Sequence, residues 1–269
     1  MMYAADKIDQ ARAAGHAAFI AYLSAGYPDV DLSIEAARAV VDAGADVIEV
    51  GFPYSDPTMD GPIIQESGTK ALERGLRRSD VFKMVEAVAE SGAAALVMSY
   101  YNPIFRYGVD NFARDLANAG GAGLIIPDII VEESGEWIEA SNKYDLERIF
   151  LVAPSCTDER LRINAEAARG FVYAASRMGV TGLRATLSSD AESLVARTRA
   201  AGAKNVCVGI GVSTHDQAVE VAQFADGVIV GSAIIRALLE NEGDREASLR
   251  RVREVATDIA IGAHTPREK

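Results

Sequence analysis

Eight short apolar runs, rich in β-branched residues and separated by longer alanine-rich stretches, limit what this chain can fold into more than any other feature. They fall at 18–23, 47–50, 94–99, 123–127, 149–153, 171–175, 205–208 and 227–230. Each is too short for a helix and too uniformly apolar for a strand with one wet face, so each reads as a strand buried on both sides. The stretches between them, 33–43, 79–90, 109–119, 131–141, 158–168, 190–201 and 214–224, repeat apolar residues at three and four, as an outer helix requires. Two further helices fit 64–74 and 249–261. This alternation predicts parallel strands joined by helical crossovers. Eight units in 269 residues predict an α/β fold, a (β/α)8 TIM barrel with additional helices. A doubly wound sheet is the alternative, but it has neither this count nor this spacing. No Pro-, Gly- or Ser-rich linker interrupts the chain, so 1–269 is expected to form a single TIM-barrel domain.

Composition removes several functional classes. With 49% hydrophobic residues the chain can bury roughly three quarters of its unfolded surface. A net charge of -12, with no basic cluster beyond pairs such as Arg77 with Arg78, opposes binding to nucleic acid. No apolar run approaches the ~18 residues of a membrane span, and the N-terminus lacks a basic segment followed by an apolar one, so a cytoplasmic protein is expected. Cys156 and Cys207 are too few for a disulfide framework and read as free thiols.

In such barrels the reactive groups sit where strands end and βα loops begin. The run 42–65, DAGADVIEVGFPYSDPTMDGPIIQ, places Glu49 in a strand among Val47, Ile48 and Val50, then Asp56 and Asp60 in the loop beyond it. A carboxyl desolvated in this way has its pKa raised, as a general acid or base near neutral pH requires. Tyr100 and Asn102 after the third strand, Asp128 after the fourth and Tyr173 on the sixth pass the same positional filter. Glycine-rich loops follow the last three strands: SRMGVTG (176–182), GIGVST (209–214) and GSA (231–233). Glycines admit close backbone approach, and a helix starting at Ser232 would aim free amides at an anion, so a phosphate monoester fits this end. None of the six lysines ends a strand, which excludes a Schiff-base mechanism, and His16, His215 and His264 are too scattered for a metal site. Cofactor-free acid/base chemistry on a phosphorylated substrate remains, with Tyr100 and Tyr173 as hydroxyl donors.

The segment EVGFPYSDPTMDGPIIQ (49–65) resembles the signature of the tryptophan synthase alpha chain family. The resemblance continues through Gly26 and Pro28, YYNPIF (100–105), Asp128 with Glu132 and Glu133, SRMGVTG, GIGVS and the glycine at Gly231. It implies retro-aldol cleavage of indole-3-glycerol phosphate to indole and glyceraldehyde 3-phosphate, without a cofactor in this chain. By this resemblance Glu49 would protonate indole C3 and help remove the hydroxyl proton, while Asp60 would hold the ring N–H. Tyr173 would lie close to the substrate, and Thr181 would orient Asp60. Gly182, Gly211, Gly231 and Ser232 would hold the phosphate. Asp56 and Pro57 would meet a beta chain carrying pyridoxal phosphate, in a tetramer of two alpha and two beta chains.

Two departures stand out. Tyr22 replaces a frequent phenylalanine and would add a hydroxyl beside the indole pocket, and Ile130 replaces a frequent proline in a loop relevant to the neighbouring chain. The readings that compete with this one are a stand-alone indole-forming lyase, a non-catalytic barrel that regulates a partner, and a sugar-phosphate isomerase.

Overall fold

Which way each strand residue points decides how the sheet closes and where the site can lie. The computed structural model describes residues 2–175, 187–209 and 211–267. In chain order the elements are α1 (Ala4–Ala13), β1 (Ala18–Ser24), α2 (Val30–Asp42), β2 (Val47–Gly51), α3 (Pro62–Glu73), α4 (Arg78–Glu90), β3 (Ala94–Met98), α5 (Tyr101–Tyr107), α6 (Val109–Asn118) and β4 (Gly123–Ile125). There follow a 3-10 turn (Val131–Glu133), α7 (Gly135–Lys143), β5 (Glu147–Val152), α8 (Asp158–Ala167), β6 (Val172–Ala175), α9 (Leu187–Ala200), β7 (Val206–Gly209), α10 (His215–Ala222), β8 (Gly227–Val230), α11 (Ser232–Glu240) and α12 (Arg245–Ala263). The strands pair in parallel, each with the next, and β8 returns to β1 to close the barrel.

Alternate residues divide between two cores, as the two-residue strand period dictates. Ile20, Val47, Leu96, Ile125, Ile149, Phe171, Cys207 and Ile229 fill the barrel interior. Phe19, Ala21, Ile48, Val50, Val97, Val172, Val208 and Val228 face the surrounding helices. Tyr22 and Glu49 have the inward parity of Ile20 and Val47, and they lie opposite one another in the β1–β2 register. Tyr173 has the parity of Phe171. Several helices begin where a side chain satisfies a free amide. Asp29 accepts from Leu32 N at 2.7 Å, Thr214 from Gln217 N at 3.3 Å and Asp244 from Ala247 N at 2.9 Å.

The N-terminal mouth of the barrel is sealed. Ala4, Ile8 and Ala11 of α1 pack into the interior core, and the buried Glu147 carboxylate accepts from the amides of Ala4 and Ala5, both at 2.9 Å. Only the C-terminal end is left open for chemistry.

The expected strands and helices are present, with shifts at their ends. Two helices had no strong signal in the sequence. α1 buries only one large apolar side chain, Ile8, so its periodicity is thin. α5 is seven residues long with a proline in its first turn, a position that needs no N–H. The expected helix over 131–141 is divided at Ser134, whose hydroxyl donates back to Val131 O at 2.8 Å and ends the 3-10 turn before α7 begins. Among the described residues no helix is long and apolar enough to cross a membrane.

Candidate active site

Glu49 reaches the upper end of the interior core as the third residue of β2, the first inward position above Val47. Its side chain is 1% exposed, and its Oε1 has no hydrogen-bond partner among the described residues. Water is lost and nothing replaces it, so burial alone lifts its pKa to about 8. At neutral pH the group is mostly a neutral acid.

Above Glu49 opens a cavity of about 600 Å³, lined by Tyr22, Glu49, Asp60, Ile64, Met98, Tyr173, Gly209, Gly211, Ile229, Gly231 and Ser232 among others. Asp60 enters it from the loop between β2 and α3. Burial raises its pKa, and a hydrogen bond from the Tyr100 hydroxyl opposes that rise. The same hydroxyl accepts from Met59 N at 2.9 Å, so Tyr100 braces the Asp60 loop from β3. The two carboxyls face one cavity but have different surroundings, one bare and one hydrogen-bonded. Such a pair can divide the roles of acid and anion between them.

Two further tyrosines line the same cavity. Tyr22 and Tyr173 are both desolvated, and both feel the charges of Glu49 and Asp60, so their phenols stay protonated and act as donors. Their positions explain two glycines. A Cβ on Gly51 would collide with the Tyr22 hydroxyl, and one on Gly209 with that of Tyr173. Gly209, in one of the three glycine-rich loops expected from sequence, lines the cavity and also leaves the space that the Tyr173 hydroxyl occupies. The Tyr22 hydroxyl also lies 3.5 Å from Ser24 Oγ, which pairs with Ser67 Oγ of α3 at 2.7 Å. A smaller apolar recess adjoins the cavity, lined by Phe52, Pro53, Pro57, Ile64, Met98, Tyr100 and Pro127 together with Tyr22 and Asp60.

At the far side, α11 begins directly from β8. Its first amides with acceptors belong to Ile234 and Ile235, both on Gly231 O, so the Ser232 and Ala233 amides precede the helical ladder. Gly211, at φ +73°, and Ser232 line the cavity beside them. This edge suits an anion, whose charge the helix N-terminus favours. Thr181 and Gly182 lie outside the described residues.

The other expected residues take supporting places. Asp128 Oδ1 accepts from Tyr101 N at 2.8 Å and caps α5, which orders the loops without entering the cavity. Asn102 donates to the Tyr54 hydroxyl at 3.1 Å. Asp56 is exposed and accepts from Ser55 Oγ at 2.6 Å, while Pro57 is half-buried at the apolar recess. Met59, in the same loop as Asp56 and Pro57, Phe105 on α5 and Ile130 after β4 stand 54%, 59% and 52% exposed, unusual for large apolar side chains. Among the described residues no group of three or more His, Cys, Asp or Glu could hold a metal ion. Met98, Ile64 and Ile229 were not singled out from sequence; the inward parity of β3 and β8 marks two of them.

Comparisons with known proteins point to one family. The model of the tryptophan synthase alpha chain family matches residues 8–264. The tryptophan synthase alpha chain of Thermobifida fusca is 54% identical over 259 residues, covering 95% of this chain and 96% of that relative. That of Bifidobacterium longum is 52% identical over 254 residues, covering 93% and 87%. A ligand-free crystal structure of tryptophan synthase from M. tuberculosis superposes with a TM-score of 0.90 at 48% identity, covering 98% of this chain and all of the matched one.

Proposed function

Because the chain belongs to the tryptophan synthase alpha chain family, we propose that its cavity cleaves indole-3-glycerol phosphate to indole and glyceraldehyde 3-phosphate through Glu49 and Asp60. The lyase reaction needs the indole ring as an electron sink. Neutral Glu49 gives its proton to ring C3, and the Asp60 carboxylate holds the ring N–H and balances the positive charge that develops there. Glu49, now ionised, takes the proton of the side-chain hydroxyl. The carbon–carbon bond then breaks, its electrons return to the ring as indole, and the oxygen becomes the aldehyde. Glu49 ends protonated, as it began, so no cofactor is consumed or required in this chain.

Tyr22, Tyr100 and Tyr173 contact the substrate, Thr181 orients Asp60, and Gly182, Gly211, Gly231 and Ser232 hold the phosphate. The exposed Met59, Phe105 and Ile130, with Asp56 and Pro57, form the rim that docks on a beta chain. That chain carries pyridoxal phosphate and receives the indole, in a cytoplasmic tetramer of two alpha and two beta chains. The whole of this chain acts as one barrel domain.

One observation supports this reading above the others: a buried carboxyl with a bare oxygen, Glu49, faces the same cavity as a second carboxyl, Asp60. The test is release of indole from indole-3-glycerol phosphate by the purified chain, with and without a beta chain. Turnover that the beta chain stimulates is expected. No indole under either condition refutes the function, and turnover indifferent to the beta chain refutes the partnership.

A further inference from the structure

Side chains, rather than its own backbone, hold the loop that carries Asp60: Asn102 donates to the Tyr54 hydroxyl at 3.1 Å, and two more side chains hold its main chain. Phe52 N donates to Met98 O at 2.8 Å, and Gln65 N donates to Gly61 O at 3.0 Å. Between these two points no backbone–backbone hydrogen bond joins the described residues. Pro57 and Pro62 have no N–H to offer. One tether is Tyr100, which accepts from Met59 N at 2.9 Å. The other is Gln65, on the first turns of α3, whose Nε2 donates to Asp60 O at 2.8 Å and to Pro57 O at 3.3 Å.

Both acceptors of the Gln65 amide are carbonyl oxygens, so only its nitrogen end can face them, and its two hydrogens match the two acceptors. The clamp therefore closes on the main chain of Asp60 itself. A carboxylate that must meet a ring N–H is sensitive to displacements on the order of 1 Å. A loop with so few internal bonds has little else to prevent them.

We propose that Gln65 is a positioning residue: by holding the Pro57 and Asp60 carbonyls it fixes the backbone from which the Asp60 carboxylate meets the indole ring. The inference rests on the assignment of Asp60 above and adds a residue that acts through it. Gln65 is exposed and does not line the cavity that holds Glu49; it borders the adjoining recess beside Asp60, so its removal should act on the placement of Asp60 and leave the phosphate end of substrate binding intact.

The test is steady-state indole release and thermal melting for the full chain and its Gln65→Met, Gln65→Glu and Gln65→Lys variants. Methionine keeps the length but donates nothing. Two neutral hydrogen bonds are lost, and kcat should fall about tenfold, with KM within about twofold because the phosphate end is untouched. Glutamate turns acceptors toward acceptors and should lower kcat further. Lysine can donate to both carbonyls and should restore kcat to within about threefold of the wild type.

A Gln65→Met chain with unchanged kcat overturns the inference. So does a loss that follows the melting temperature and that lysine does not restore, since that pattern means packing alone. A wild-type chain that releases no indole refutes instead the functional reading, and this inference falls with it.

Discussion

Two buried glutamates at opposite ends of the barrel differ in one respect that separates chemistry from architecture. Glu49 on β2 and Glu147 on β5 are each 1% exposed, and burial raises both pKa values, to about 8 and about 7. Glu147 lies in a slot walled by Gly123 and Gly170 and receives the first amides of α1, which oppose the rise. A third buried acid, Asp226, is saturated further: it accepts from Val206 N at 2.9 Å and lies 3.0 Å from Arg199 and 3.6 Å from Arg12 and Arg267. Glu49 keeps an oxygen with no partner among the described residues. Burial by itself therefore does not mark a reactive carboxyl. An unmet hydrogen-bonding capacity facing a cavity does, because the missing partner is where a substrate can bind.

The contrast is broken most strongly by exchanging function. Glu49→Gln should lower the rate of indole release by about 10² to 10⁴, as loss of a general acid does; an unchanged rate would place the acid elsewhere. Glu147→Ala should leave two amides and a cavity inside the barrel and reduce unfolding free energy by about 2–4 kcal/mol. Urea unfolding measures this, and kcat per folded molecule should stay within about threefold of the wild type.

The two sites should also differ in how far stability depends on pH. Unfolded Glu49 ionises near its ordinary value of 4.5, whereas folded Glu49 ionises near 8. Below the lower value both states hold the proton, so the full contribution to stability is present. Between the two values only the folded chain does, so stability falls as pH rises, by up to about 1.4 kcal/mol per unit. Glu49→Gln removes this penalty and should melt higher than the wild type at pH 8; Glu147, raised only to about 7, carries a smaller penalty of the same sign, and Glu147→Ala also loses two hydrogen bonds, so it should gain less or melt lower. The smallest effect is expected at Tyr22→Phe, which keeps the ring and loses one hydroxyl beside Gly51; KM should change by about twofold to fivefold. A larger change confined to kcat would move Tyr22 from substrate fit into proton transfer.

The barrel was legible because its strands are buried on both faces and its helices on one, which gives two distinct periods. Glu49 was legible for the same reason, as a carboxyl that breaks an apolar run. α1 escaped notice because it buries mainly alanines, and α5 because it is a single short helix built on a proline. The second use of Gly209 was not legible, because a glycine that admits a ligand and one that admits a tyrosine hydroxyl look alike in a sequence. Gln65 closes the segment 49–65, yet nothing in the residue pattern assigned it a role. Its partners are main-chain carbonyls, whose placement depends on the folded loop and not on residue type. The roles of Glu147 and Gln65 belong to contacts between distant or irregular segments, where periodicity says nothing.

The most direct test of the difference between the glutamates is the titration of Glu49 itself. Carboxyl ¹³C resonances of the glutamate-labelled chain, assigned by comparison with the Glu49→Gln variant, should contain one signal that titrates near pH 8 and vanishes in the variant. A Glu49 signal titrating near the ordinary 4.5 would mean that the carboxyl is ionised at neutral pH, and the account of a neutral acid waiting beneath the substrate would be wrong.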